Sequence, residues 1–189
     1  MARVSIAYGD DVLRRFHNQI AAIGQGRARP ALARALNRVT RMARTRVVRA
    51  IVQDTSLPRA IASRAIRTVL AAHGGGGDLS AGLAARGRPV SLKHFGARQL
   101  SYGVRARIFG QWRRFPGAFM GPRPGTLAPR LGGHVFQRTS RSRLPIERLD
   151  GPSVPEALTR TAARQAFDQL YASHLPMRIA HELGRMLPG

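Results

Sequence analysis

Between Pro30 and about Asp54 the apolar side chains return every three or four positions, at Leu32, Leu36, Val39, Ala43, Val47 and Ala50. That spacing lines one face of an α-helix, and Arg34, Arg38, Arg41 and Arg49 fall roughly opposite. The pattern predicts a helix of about 24 residues with one greasy face and one guanidinium face. A shorter run of the same period, Val12, Leu13, Phe16, Ile20 and Ile23, predicts an amphipathic helix over 10–23, capped by Asp10 and ended by Gly24 and Gly26. Pro58 opens a further helix from Arg59 to Leu70, and Gly74 to Gly77 reads as a flexible tether.

Past the tether the period changes to two. Leu79, Ala81, Leu83 and Ala85 alternate with Ser80, Gly82 and Ala84, and Val104, Ala106 and Ile108 alternate with Arg105 and Arg107. Both runs predict strands, and His134–Arg138 and Leu144–Leu149 supply shorter ones. The proline and glycine cluster at 121–133 predicts a long surface loop or arm that a partner orders. Ser153 followed three residues on by Glu156 has the spacing of a capping box, so a C-terminal helix is expected there. It would turn Leu158, Ala162, Phe167 and Leu170 inward and be kinked or interrupted by Pro176 before Leu187. No internal repeat is visible. The expected fold is α+β, with a long amphipathic N-terminal helix and a C-terminal helix packed on a small, mostly antiparallel sheet and extended Gly/Pro-rich loops. All 189 residues are expected to form one domain, in three parts: helical over 1–73, basic and strand-rich over 78–150, helical again over 153–187.

Charge changes this picture most. Thirty-two basic residues against 9 acidic ones give a formal charge of +23, and self-repulsion on that scale calls for a polyanion or an acidic protein surface. Lys93 is the only lysine, so every other cationic side chain is an arginine, the residue that forks onto phosphate and carboxylate. The segment 79–146 has no aspartate or glutamate, yet it carries Arg86, Arg88, Lys93, Arg98, Arg105, Arg107, Arg113, Arg114, Arg123, Arg130, Arg138, Arg141 and Arg143. Within it Arg105, Arg107, Arg113 and Arg114 interleave with Phe109, Trp112 and Phe115. Such a pattern can hold a nucleic-acid backbone and stack bases, or it can be a sheet whose aromatics pack while its arginines are solvated.

Most catalytic readings fail on spacing. His181-Glu182 starts like a helical zinc-protease motif, but Arg185 stands where the second histidine belongs. Gly24 and Gly26 are followed by Arg29 where a dinucleotide loop needs a third glycine, and Gly74 to Gly77 lack the lysine of a phosphate loop. With no cysteine, scattered histidines and nine acids, no enzyme, metal or cofactor is expected. The start MARVSIAYGDD has no apolar core and reaches two aspartates at once, so no secretory leader is expected. No window approaches about 20 apolar residues, so neither is a membrane span, and synthesis in the cytoplasm follows.

The runs PVSLKHFGARQ at 89–99, Gly103-Val104, Pro116-Gly117-Ala118-Phe119, SRLPIERL at 142–149 and GPSVP at 151–155 carry a resemblance. In order and spacing they resemble the minor tail protein Z family of tailed bacteriophages and prophages, and ALNRV at 35–39 is similar to that family's amino-terminal helix. The resemblance spans roughly residues 30–172. Asp150 departs from it, standing where an aromatic is expected.

The resemblance implies a structural virion protein acting in tail completion and head-tail joining at the head-proximal end of the tail, as part of a homo-oligomeric ring, a hexamer, around the DNA conduit. Its implied partners are tail terminator, tail tube or head-tail connector proteins, the end of the tape-measure protein, and packaged double-stranded DNA, with no membrane. Arg105, Arg107, Arg113, Arg114, Arg138, Arg141 and Arg143 are the candidates for contact with DNA or an acidic partner. Phe95, Phe119, Leu144 and Ile146 are the candidates for core or subunit interface, and Pro116, Gly117, Pro145, Gly151 and Pro152 are expected to fix turns. The alternative is a free nucleic-acid-binding protein without sequence preference.

Overall fold

The longest element of the computed structural model, α1, runs from Gln25 to Thr55 and so begins ahead of Pro30. Gly24 takes φ +84°, and its carbonyl accepts from the N–H groups of Arg27 and Ala28 at 3.1 and 3.0 Å, which starts the helix early. Pro30 lies in the second turn, where the N–H it lacks would have met the carbonyl of exposed Gly26. Leu32, Leu36, Val39, Ala43 and Val47 are buried and Ala50 half-buried, while the four opposing arginines are exposed. The structure describes residues 2–7, 16, 20, 23–72, 79–126 and 128–186. Most of the helix expected over 10–23, and the tether at 74–77, lie outside them. Phe16, Ile20 and Ile23 are within, half-buried against the core.

The helix α2, Arg59–Ala65, stops short of the span expected to Leu70. Ile66–Val69 leaves as strand β2, because Ile66, Thr68 and Val69 are β-branched and pair with β3, Gly82–Gly87. A further strand, β1 at Ala2–Ala7, pairs with the other edge of β3, in register from Ala2 opposite Gly87 to Ala7 opposite Gly82. β3 is thus the centre of an antiparallel sheet ordered β1-β3-β2, and Gly82 and Ala84 are buried along with Leu83 and Ala85.

The capping box forms at the start of α3, Val154–Thr159: the Glu156 N–H donates to Ser153 Oγ at 3.2 Å, and the Ser153 N–H donates to Glu156 Oε2 at 3.3 Å. The chain then breaks at Arg160, held extended by an ion pair with Asp54 and by its guanidinium lying 4.3 Å over the Phe109 ring. From Thr161 to Gly184 α4 is continuous. The interruption expected at Pro176 therefore falls at Arg160 instead. Pro176 is tolerated because the carbonyl it frees belongs to exposed Ala172.

The stripe of α1 packs chiefly on α4, which runs antiparallel to it, and less on the β2 and β3 strands, so its main partner is the C-terminal helix and not the sheet. Arg34 pairs with Glu182 at one end of the seam and Asp54 with Arg160 at the other, while the hydroxyls of Thr40 and Tyr171 bond at its middle. Burial raises the Tyr171 phenol pKa, opposed by that bond. Phe167 and Tyr171 stack 4.4 Å apart, and each large apolar side chain hidden here contributes about 1.5–3 kcal/mol. Leu158 and Phe167 are buried as expected, and Ala162 and Leu170 are half-buried. Asn37, from the ALNRV run, clamps the backbone of Ala71: Nδ2 donates to its carbonyl at 3.1 Å and Oδ1 accepts from its N–H at 2.7 Å.

The basic middle divides into two further antiparallel sheets. β4, Arg98–Leu100, β5, Gly103–Ile108, and β6, Gln111–Pro116, form one; β7, Phe136–Arg138, and β8, Ile146–Arg148, form a ribbon. The fold is α+β as expected, with its strands in three small sheets.

The family-like runs converge. The Gly151 N–H donates to the Val90 carbonyl at 2.7 Å, and the Leu92 N–H donates to that of Leu149 at 3.2 Å. A Cβ on Gly151 would stand 2.7 Å from the Phe95 ring, so only glycine admits that contact. Gln99 ties down the Gly/Pro-rich loop, its Oε1 accepting from the N–H groups of Met120 and Gly121 at 2.7 and 2.9 Å.

Candidate polyanion-binding face

The β4-β5-β6 sheet sorts its side chains by alternation. Val104 and Ala106 are fully buried and Ile108 nearly so, which fixes the core face. Arg98 stands opposite Arg105, and Arg105 opposite Arg114, so three guanidinium groups from three strands form one row on the other face. Arg107, opposite Trp112, extends it. Like charges set directly across strands are destabilising, and a row of them is a feature that folding alone does not favour.

Aromatic rings hold two of these arginines. The Arg105 guanidinium lies 4.8 Å over Trp112 and that of Arg114 5.1 Å over Tyr102, within cation–π range. Trp112 and Tyr102 are themselves 53% and 41% exposed, so each ring is a platform open to solvent. Arg107 Nε donates to the Gly110 carbonyl at 3.1 Å. Arg105 Nε is buried and has no hydrogen-bond partner among the described residues. The β5–β6 turn, with Phe109 and Gly110 both at positive φ, is pinned to the end of α1: the Phe109 N–H donates to the Thr55 carbonyl at 3.2 Å and the Gly110 N–H to Ser56 Oγ at 3.2 Å. Gly103 opens β5 at φ +134°, where a Cβ would lie 2.3 Å from the Phe115 carbonyl oxygen.

Among the described residues no acidic side chain compensates the charge of this face. Among the described residues the ion pairs are Arg34–Glu182, Arg148–Asp150, Arg160–Asp54 and Arg164–Asp168, and none uses a cation from 79–146. Asp150, the departure from the family pattern, takes both forks of Arg148 at 2.9 Å.

The expected contact residues do not all meet. Arg113 is opposite Ala106 and so belongs to the other face from Arg105, Arg107 and Arg114, at its exposed margin. Phe115, opposite Val104, is half-buried on that core side. Arg138 lies 5.8 Å over the Phe119 ring and lines a cavity with Gln99, which the register also puts on the core side. Arg141 and Arg143 are exposed in the connection between β7 and β8. Of the apolar candidates Phe95 is core, Phe119 and Ile146 are half-buried, and Leu144 is 67% exposed. Arg98 and Tyr102 are members of the face that sequence reading did not single out. The alternation that placed Arg105 would have found Arg98 had β4 been recognised as its partner strand.

A polar cluster was also missed. Lys93 Nζ donates to His134 Nε2 at 3.0 Å, so the ring proton sits on Nδ1 and is donated to Ser91 Oγ at 2.7 Å. A ring nitrogen that donates to the hydroxyl cannot accept its proton, so this arrangement does not activate Ser91 as a nucleophile. It joins the 89–99 run to the start of β7. Burial first, and then Lys93, Arg148 and His94, lower the His134 pKa below 6.5, against a smaller opposing pull from Asp150. The unfolded chain therefore takes up this proton first on acidification. The stabilising contribution is complete above 6.5 and declines as pH falls below it. In melting curves taken across that range, His134→Gln is expected to flatten the acid-side loss of stability; identical slopes for both proteins would refute the assignment.

Among the described residues no group of three or more His, Asp or Glu side chains is placed to hold a metal, and no helix is long and apolar enough to cross a membrane. Glu182 of the zinc-protease-like run is engaged by Arg34. Comparison of the chain with protein-family models, curated proteins and solved structures finds no match.

Proposed function

We propose that the chain is a structural subunit of a phage tail, acting in tail completion and head-tail joining as part of a ring around the DNA conduit. The observation that carries this reading is the row Arg98, Arg105 and Arg114, assembled from three strands without an acidic partner among the described residues. A subunit lining a DNA conduit meets one phosphate charge per ~1.7 Å of duplex axis, and arginines bind those charges without reading bases. The family-like runs support it, since Val90, Phe95, Gln99, Leu149 and Gly151 make the contacts that hold the face's supporting loops. Exposed Leu144 and the outer edge of β6 are surfaces that a neighbouring copy in a ring would cover.

Mass spectrometry of purified particles tests the proposal. The chain is expected at about six copies per virion, the number a single hexameric ring of the kind the resemblance implies would supply. Intact, DNA-filled particles without it would refute the reading. A free nucleic-acid-binding protein would instead sediment apart from tails.

A further inference from the structure

Building on the DNA contact just proposed, we infer that the nucleic-acid site extends beyond the sheet as one continuous phosphodiester-binding track. It runs from the arginine row past Trp112 and along the exposed face of α1 to Arg49 and Arg46.

Two cavities join the parts. One, of about 530 Å³, is lined by Gln53 of α1 and Ser56 just past its end, by His94 and Gly96, and by Arg107 and Trp112 of the sheet. The other, about 560 Å³, follows the same helix, with Met42, Arg46 and Arg49 on one wall and Leu170, Ser173 and His174 of α4 on the other. Met42, Arg46, Arg49 and Gln53 follow at four-, three- and four-residue steps, so they share one helix face and the two cavities follow each other along it. From Arg46 to Thr55, where it ends, the helix rises about 14 Å. The three-strand row adds about 10 Å.

The charged side chains along this path are of one sign. Arg46, Arg49, Arg98, Arg105, Arg107 and Arg114 have no ion-pair partner among the described residues, and the two acids that adjoin lining residues, Asp54 beside Gln53 and Asp168 beside Gln169, pair with Arg160 and Arg164. Over about 25 Å one strand of a duplex presents about seven phosphates. A line of guanidinium groups matches that repeat better than it matches an acidic protein surface, whose carboxylates have no fixed interval. The ring of Trp112 stands where the sheet and helix portions meet.

Trp112 is the only tryptophan, so its emission reports on that junction. The experiment titrates the whole protein with a short mixed-sequence duplex across a salt series while following Trp112 fluorescence. The duplex is expected to quench or shift the emission. Arg46→Gln/Arg49→Gln is expected to flatten the slope of log affinity against log salt by about 1.8, two phosphate contacts, while Arg46→Lys/Arg49→Lys retains most of it. Both arginines are exposed, so an unchanged melting temperature should accompany the loss. A slope unchanged in the glutamine pair but reduced in Arg105→Glu/Arg107→Glu would overturn the track and leave the proposed function standing on the sheet alone. Slopes unchanged in both pairs would remove the DNA contact from both portions. Displacement of the duplex by polyglutamate at equal charge would overturn the assignment to phosphodiester.

Discussion

Leu36→Asp is expected to lower stability by about 4 kcal/mol or more, and the melting temperature by about 10 °C or more. Leu36 is 6% exposed in the stripe of α1 that meets α4, among Leu32, Val39 and Ala43. A carboxylate there is badly placed for a cation, because Arg34, Arg38, Arg41 and Arg49 leave from the opposite face, Arg34 is already paired with Glu182, and Arg44 is held by the carbonyls of Ser63 and Ile66. It would be buried unpaired or would force the seam apart. Leu36→Met, similar in volume, should cost less than about 1.5 kcal/mol, which separates burial of charge from change of shape. Thermal melts of the two variants decide the matter, and an unchanged midpoint for the aspartate variant would exclude the α1–α4 seam as the main stabilising contact.

Elements with a long, undisturbed period were legible. α1 and β5 each repeat one pattern over several turns or residues, and the buried sets match it. Helix ends were less so, because they are decided by neighbours. Gly24 starts α1 before Pro30 by offering its carbonyl, and Arg160 breaks the C-terminal helix through Asp54 and Phe109, residues far away in sequence. Ile66–Val69 continued a helical spacing, and its change to a strand depends on pairing with β3. The Ser153 box, a purely local device, was read correctly.

The site divides along the same line. Alternation within one strand placed Arg105 and Arg107 together, but grouping Arg113 with Arg114 by adjacency put two opposite faces into one candidate. The row itself depends on the register of β4 against β5, which a single strand's pattern does not contain. The Ser91–His134–Lys93 cluster was invisible for the same reason, since its members come from 91–93 and 134 and meet only through the fold.

Arg105→Glu/Arg107→Glu is expected to cut affinity for duplex DNA sharply, and to flatten the slope of log affinity against log salt by about 1.8. Sequence preference should be slight before and after, because phosphate contacts position a protein without identifying bases. The register keeps the variant interpretable. Glutamate at 105 would stand between Arg98 and Arg114, turning two like-charge cross-strand pairs into opposite-charge pairs, each worth about 0.2–1 kcal/mol. The cation–π contact with Trp112 is lost, at about 0.5–1 kcal/mol, and so is the Arg107 Nε bond to the Gly110 carbonyl, at about 0.5–1.5 kcal/mol, so the balance for folding is near neutral. Weakened binding therefore cannot be put down to unfolding, and a melt of the variant should confirm it. In the virion the same variant is expected to yield tails that fail to join heads or to deliver DNA. Two results count against the role: an unchanged salt slope, or variant tails that join heads and deliver DNA normally. Either would leave Arg105 and Arg107 as a solvated face, with the missing acidic partner unexplained.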